Sequence, residues 1–280
     1  MGRLKTAALS VAGLLLLVAI VGYFYLKSLG IIPSSIYETE PPLLPSFTRP
    51  AVLVLNKTNG FIHKDALPAA DAALTAIAQQ NGWDITITDN AASHNAGDLQ
   101  RFELVVWNNV SGDVLTESQR GDLRGWIEAG GGWLGIHGSG GDPAYDWRWY
   151  VETLIGAQFI GHTMNPQFQD AQLYSTHDAT AYLPVPWSVA QEEWYAFDKS
   201  PVSNGSEILV AIDEDSYITQ GQTFWGGDSM EGEHPLVWRH AVGKGRAFYT
   251  AIGHQGATYQ LPEYRQLLSD AMRWAMQQEN

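Results

Sequence analysis

The sequence predicts an α/β fold: a doubly wound, mostly parallel sheet preceded by an N-terminal transmembrane helix. Three observations predict it. Between residues 51 and 136, short strand-like runs alternate with segments of helical period, the pattern of consecutive βαβ units. The first of these runs is continuously apolar, as expected of a strand covered on both faces. Ahead of them, Ala7 to Leu26 is a stretch of 20 residues without a charge, and about 20 apolar residues span a hydrocarbon core as helix.

The N-terminal helix comes first. Arg3 and Lys5 precede it and only Lys27 follows closely. This bias puts the N-terminus in the cytoplasm and the remaining chain outside it, in the periplasm or at the cell surface. Tyr23, Phe24 and Tyr25 suit the outer interface. A cleaved signal peptide is the alternative, but its apolar core usually runs about 7–15 residues and ends in a small-x-small site. Residues 1–29 are thus expected to be a membrane anchor. Residues 30–50 carry five prolines and no helical period, which predicts a semi-extended linker. The domain is expected over 51–280.

Within the domain, AVLVL (51–55) is the first strand. Residues 65–81 have helical spacing and stop at Gly82. WDITITD (83–89) alternates like a strand, and ELVVWNN (103–109) is another. Residues 116–132 open with Thr116 and Gln119 in capping-box spacing and close in glycines. WLGIH (133–137) is the fourth strand. Residues 147–156 are expected to be helical, and 168–175 and 206–213 to be strands. Stretches 177–205 and 214–234 are expected to be long loops. Residues 235–254 form a strand, a glycine turn and a strand, and an amphipathic helix closes the chain at 262–278.

Residues 31–280 hold 13 Lys and Arg against 30 Asp and Glu, a net of −17. So acidic a surface repels phosphate backbones, which argues against a nucleic-acid partner. The absence of cysteine excludes disulfides, thiolate ligands and a cysteine nucleophile. The glycines at 130–132 and 138–141 do not form a phosphate cradle after the first strand, so no nucleotide is expected.

Open parallel sheets bind ligands beyond the carboxyl ends of their strands. His63 follows strand one, Asn108 and Asn109 end strand three, His137 ends strand four, and His254 follows the late strand. His162 comes after the segment that follows strand four. An imidazole can ligate a metal or move a proton near neutral pH. His63, His137, His162 and His254 are therefore the expected ligands of a divalent metal, Zn, Mn or Fe, although their spacing matches no local metal motif. His137, His254 and Glu193 are the expected catalytic groups, Glu193 as a general base or alternatively as a ligand. In GIHGS, His137 takes the nucleophile slot of a G-x-S-x-G turn, so Ser139 is out of register for a serine hydrolase. His94, His177 and His240 read as structural or solvated, and His234 as shaping the turn before Pro235. With 11 tryptophans, the chain has aromatic faces to offer a sugar ring, from Trp147, Trp149, Tyr150, Trp194, Tyr195 or Trp225. Asn108, Tyr195, Trp149, Trp194 and His63 are the expected substrate contacts.

LVLNKTNGFIH (53–63), GGWLGIHGSGGD (131–142), LIGAQFIGH (154–162), EEWYAF (192–197) and HPLVWRHAVGKGRAFYTAIGH (234–254) together resemble the ThuA-like, or trehalose utilisation, family. The resemblance runs from about Ala51 to Gln277. It implies a flavodoxin-like sheet of the class I glutamine amidotransferase-like kind. The family's histidines carry over onto His63, His137, His162 and His254, and its acidic-aromatic motif onto Glu192, Glu193 and Tyr195. Related amidotransferases place a cysteine nucleophile where His137 stands, which implies that glutaminase chemistry is lost. The resemblance further implies action on a sugar or keto-sugar. His/Glu acid-base chemistry with a metal would make the chain an isomerase, lyase or hydrolase. The alternatives are a non-catalytic carbohydrate-binding module at the cell surface and a scaffold of an envelope complex.

Overall fold

The computed structural model describes residues 2–142, 145–223 and 226–278, with side chains described from residue 12 onward except at 222 and 223. Trp225, one of the expected aromatic platforms, lies outside the described residues.

Helix α1 runs from Gly2 to Ser28, and Leu14 to Leu17 project from it fully exposed to at least 57%. Among the described residues no helix is long and apolar enough to cross a membrane. The structure therefore does not support the transmembrane element of the expected fold.

Residues 32–50 form no helix or strand, as their prolines dictate. They are nonetheless bound to the domain as a strap. Ser34 N–H donates to Asn59 O at 2.7 Å, Lys57 pairs with Glu38, and Arg49 pairs with Asp84 at 2.6 Å. Gly30, at φ +74°, lies so close to Gly60 that a Cβ there would sit 1.8 Å from the Gly60 carbonyl oxygen.

The domain begins with β1 (Ala51–Leu55), α2 (Ala66–Asn81), β2 (Asp84–Thr88), the short α3 (Ala96–Leu99), β3 (Leu104–Asn108), α4 (Glu117–Ala129) and β4 (Gly132–Ile136). Every residue of β1, β3 and β4 is buried, which is why these strands carry no polar alternation. Gly82 ends α2 in the left-handed region at φ +72°, and Thr116 and Gln119 close a complete capping box on α4. After a π-helical turn at Tyr150–Ile155, shorter than the expected helix, come β5 (Phe159–His162), β6 (Gln169–Ser175), β7 (Trp187–Glu192), β8 (Tyr195–Phe197) and β9 (Glu207–Ile212). The short pair β10 (Gln222–Thr223) and β11 (Gly226–Gly227) precedes β12 (His234–Val242), β13 (Gly245–Thr250) and α5 (Pro262–Ala275).

The main sheet has nine strands in the order β2-β1-β3-β4-β13-β12-β9-β6-β7. The first five are parallel and follow the doubly wound order. The other four extend the sheet antiparallel. Helices α2 and α5 pack side by side on the parallel half, and α4 packs beside α3 and on β13. Strands β7 and β8 fall where a long loop was expected. The inward residues of β7 are Trp187, Val189 and Glu192, and Gln191 at φ +53° interrupts the alternation, so its periodicity is weak. Strand β8 pairs with β5 in a separate two-stranded sheet, with His162 opposite Tyr195.

Candidate active site and metal centre

The parallel register brings the site together. In β4, Ile136 lies opposite Thr250 of β13, so the residues beyond both strand ends are neighbours. His137 occupies the first position past β4 with φ +42°, a left-handed conformation that an L side chain adopts at a cost. Its Nδ1 donates to Ala251 O at 2.6 Å, which leaves Nε2 with the lone pair. That Nε2 lies 3.2 Å from Nδ1 of His254 and 3.4 Å from Oε2 of Glu193. His254 Nδ1 in turn lies 3.1 Å from the same Oε2. His63 arrives on the loop after β1, its ring centre 4.9 Å from that of His137 and 4.8 Å from that of His254. Buried His63 Nδ1 has no hydrogen-bond partner among the described residues.

One ligand atom from each of His63, His137, Glu193 and His254 lies within 4.8 Å of the others. Three imidazole nitrogens and one carboxylate oxygen make a donor set that could hold a divalent metal. The expected set differs at one place. His162 is not in this group; its Nδ1 lies 2.8 Å from Thr163 O and 3.1 Å from Oε1 of Glu193, behind the carboxylate. Glu193 takes the place His162 was expected to hold.

Burial lowers the pKa of His63 well below the ordinary imidazole value, helped by the charges of His137 and His254. Burial also lowers His137. For His254, burial acts downward, but the hydrogen bond to Glu193 and that carboxylate's charge outweigh it and raise the pKa. Burial acts upward on Glu193, yet the imidazoles of His137 and His254 beside it hold it well below the usual carboxylate range. The site thus combines two imidazoles held toward the neutral form, His63 and His137, with a third, His254, held toward the protonated form beside a carboxylate anion.

The neighbouring Glu192 points elsewhere. It is fully buried and accepts from the backbone N–H groups of Gly253 at 3.2 Å and Gln255 at 2.8 Å, and from the Thr258 hydroxyl at 3.1 Å. It clamps both sides of the residue that carries the His254 ring. Burial pushes its pKa up to about 7.

Other expected contacts lie off the site. Asn108 is buried and donates to Asn56, Leu67 O and Asp71, tying β3 to α2. Asn109, at φ +51°, accepts instead from Gly138 N–H. Tyr195 stacks 4.1 Å from His137 but is buried behind it. Trp194 is wholly buried and donates to Gln169 O, so it offers no face to a sugar. Trp149 stacks on Trp147 and under Arg124. Ser139 donates to Trp107 O and is no nucleophile. His94 accepts from Trp107 Nε1, and His234 bridges Glu214 and Tyr195 O. The aromatic rings at the histidines are Phe61, 4.9 Å from His63, and Phe168, 5.0 Å from His254. Neither stood out in the sequence, though Phe61 lies two residues before His63. Gln167, which donates to Oε1 of Glu193 at 2.6 Å, gave no sequence signal at all.

The family model for ThuA, described as trehalose utilisation, matches residues 51–275. The chain belongs to the ThuA family. A putative ThuA-like protein from Bacteroides uniformis shares 23% identity with a TM-score of 0.69, covering 84% of this chain and 95% of that one. One from Parabacteroides merdae shares 18% identity at TM-score 0.57, covering 81% and 90%. A cytoplasmic protein of Salmonella typhimurium has the same fold at 11% identity and TM-score 0.52, covering 80% and 99%. No curated protein matches the chain. As a ThuA domain, the chain has the amidotransferase-like sheet expected of it, with His137 at the turn after β4.

Proposed function

We propose that this ThuA protein is a metal-assisted enzyme that moves a proton next to the carbonyl of a keto-sugar. The observation that carries the reading is the convergence of His63, His137, Glu193 and His254, with the buried Nδ1 of His63 unpartnered. Buried polar atoms in proteins are normally satisfied, so an orphan beside three other donors marks a ligand site. A divalent ion there would polarise the substrate carbonyl. His137, His254 and Glu193, expected as acid-base groups, would then be occupied as ligands. Proton transfer falls to His162. Its Nδ1 donates to Thr163 O, and its partly exposed ring leaves Nε2 free to take the proton from a substrate carbon lying beside the carboxylate. Return of that proton to the former carbonyl carbon, with the α-hydroxyl proton passing to the former carbonyl oxygen, gives isomerisation; loss of a β-substituent with its bonding pair from the enolate gives lyase cleavage.

The test is elemental analysis of the purified chain, with deuterium exchange into a keto-glucoside followed by NMR. Metal in the wild-type protein, and exchange that His162→Ala abolishes while keeping the metal, support the reading. A metal-free protein without exchange overturns it.

We also propose that α1 anchors the domain to a membrane, with the site on the extracytoplasmic side. The 27-residue helix and its exposed leucines support this, as do the cationic residues ahead of the apolar run. Release of the full chain from membranes by alkaline carbonate would overturn it.

A further inference from the structure

The two oxygens of Glu193 have different surroundings. Oε2 faces the imidazoles, 3.1 Å from His254 Nδ1 and 3.4 Å from His137 Nε2. Oε1 faces away and accepts from Gln167 Nε2 at 2.6 Å, with His162 Nδ1, whose N–H goes to Thr163 O, 3.1 Å off. The Gln167 amide must present its NH2 group here, because its carbonyl oxygen would repel a carboxylate.

Gln167 is itself held in place. Its backbone carbonyl accepts from the Thr163 hydroxyl at 2.6 Å. That hydroxyl accepts from Trp194 N–H at 3.2 Å, and Thr163 N–H donates to Trp194 O at 3.0 Å. The 163–167 loop is therefore tied to the residue that follows Glu193. Donor and carboxylate move as one unit.

We propose that Gln167, backed by His162, is a positioning residue that makes Glu193 a one-oxygen metal ligand. The proposal rests on the metal reading above. A carboxylate whose second oxygen is engaged by a short amide hydrogen bond binds through the first. With three imidazoles, this gives a four-coordinate protein set. Without Gln167, Oε1 is free to turn toward the ion and raise the coordination number.

The experiment titrates the metal-free, full-length chain with cobalt(II), whose visible absorption weakens as coordination rises from four to five. The wild-type chain is expected to give the intense four-coordinate spectrum. Gln167→Leu, which keeps the bulk and removes the donor, is expected to give a weaker spectrum and about 10–100-fold lower cobalt affinity. Gln167→Asn, whose donor is one methylene too short, should behave like the leucine variant. Thermal melting of the metal-free variants shows that they remain folded, with a lowered midpoint expected because buried Glu193 loses a donor. A wild-type spectrum already five-coordinate overturns the proposal, as does a Gln167→Leu spectrum and affinity equal to wild type; both leave the metal reading standing. A wild-type chain that takes up no cobalt overturns both.

Discussion

The imidazole of His137 is fastened to the carbonyl of Ala251, Nδ1 to oxygen at 2.6 Å, across the ends of two adjacent parallel strands. A single hydrogen bond thereby sets the tautomer of a ring wholly removed from solvent.

Replacing His137 by alanine should remove metal binding and also cost stability. The Ala251 carbonyl would be left buried without its donor, a penalty of about 1–3 kcal/mol. Calorimetric metal titration and urea unfolding of the variant check the two effects separately.

Gly138 lies against His63, so that a Cβ at this position would come within 2.8 Å of His63 Cε1. Gly138→Ala should push the His63 ring out of place. We expect metal affinity to drop at least tenfold, while stability falls by about 1–3 kcal/mol from the overpacked contact. Equal affinity in the two proteins would contradict this.

His254 carries a raised pKa because it shares Glu193 with the other rings. The shift favours its protonated form, and a metal must displace that proton, so uptake should release more protons as the pH is lowered. Calorimetry in buffers of differing ionisation heat measures that number. Affinity should rise with pH through the titration of His254.

The lowered pKa of His63 has the opposite sign for folding. Its folded value lies below its unfolded value, so below about pH 6.5 the unfolded chain binds a proton that the folded one refuses. Stability from this source is complete above that pH and is lost as the pH falls. In denaturation of the metal-free protein, His63→Asn should therefore lose less stability than wild type between about pH 7 and pH 5.

Glu192→Ala should loosen the segment that carries His254. Two backbone N–H groups and a hydroxyl lose their acceptor, at a cost of about 1–3 kcal/mol per buried group left unsatisfied. Hydrogen exchange at Gly253 and Gln255 should accelerate, while amides in β1 remain as slow as in wild type.

The gathering of His63, His137 and His254 was legible in the sequence because parallel strands end on one edge, and each of these residues stands just past a strand end. The exchange of Glu193 for His162 was not. It follows from the β5–β8 pairing, which puts His162 opposite Tyr195, and β8 has three residues and no readable period. Trp194 and Asn108 misled for a related reason. Each is of a type that suits a binding surface, but tertiary packing turned one into the core and the other toward α2. Gln167 acts through a loop hydrogen bond that no local pattern encodes.

The strap gives the crevice a fixed bearing. The carbonyl of Leu29, just past the end of α1, accepts from Ile62 N–H, one residue before His63, and Gly30 is wedged against Gly60. The link between helix and domain is thus no slack leash. Any load on α1 is passed to Ile62, the residue beside the first histidine.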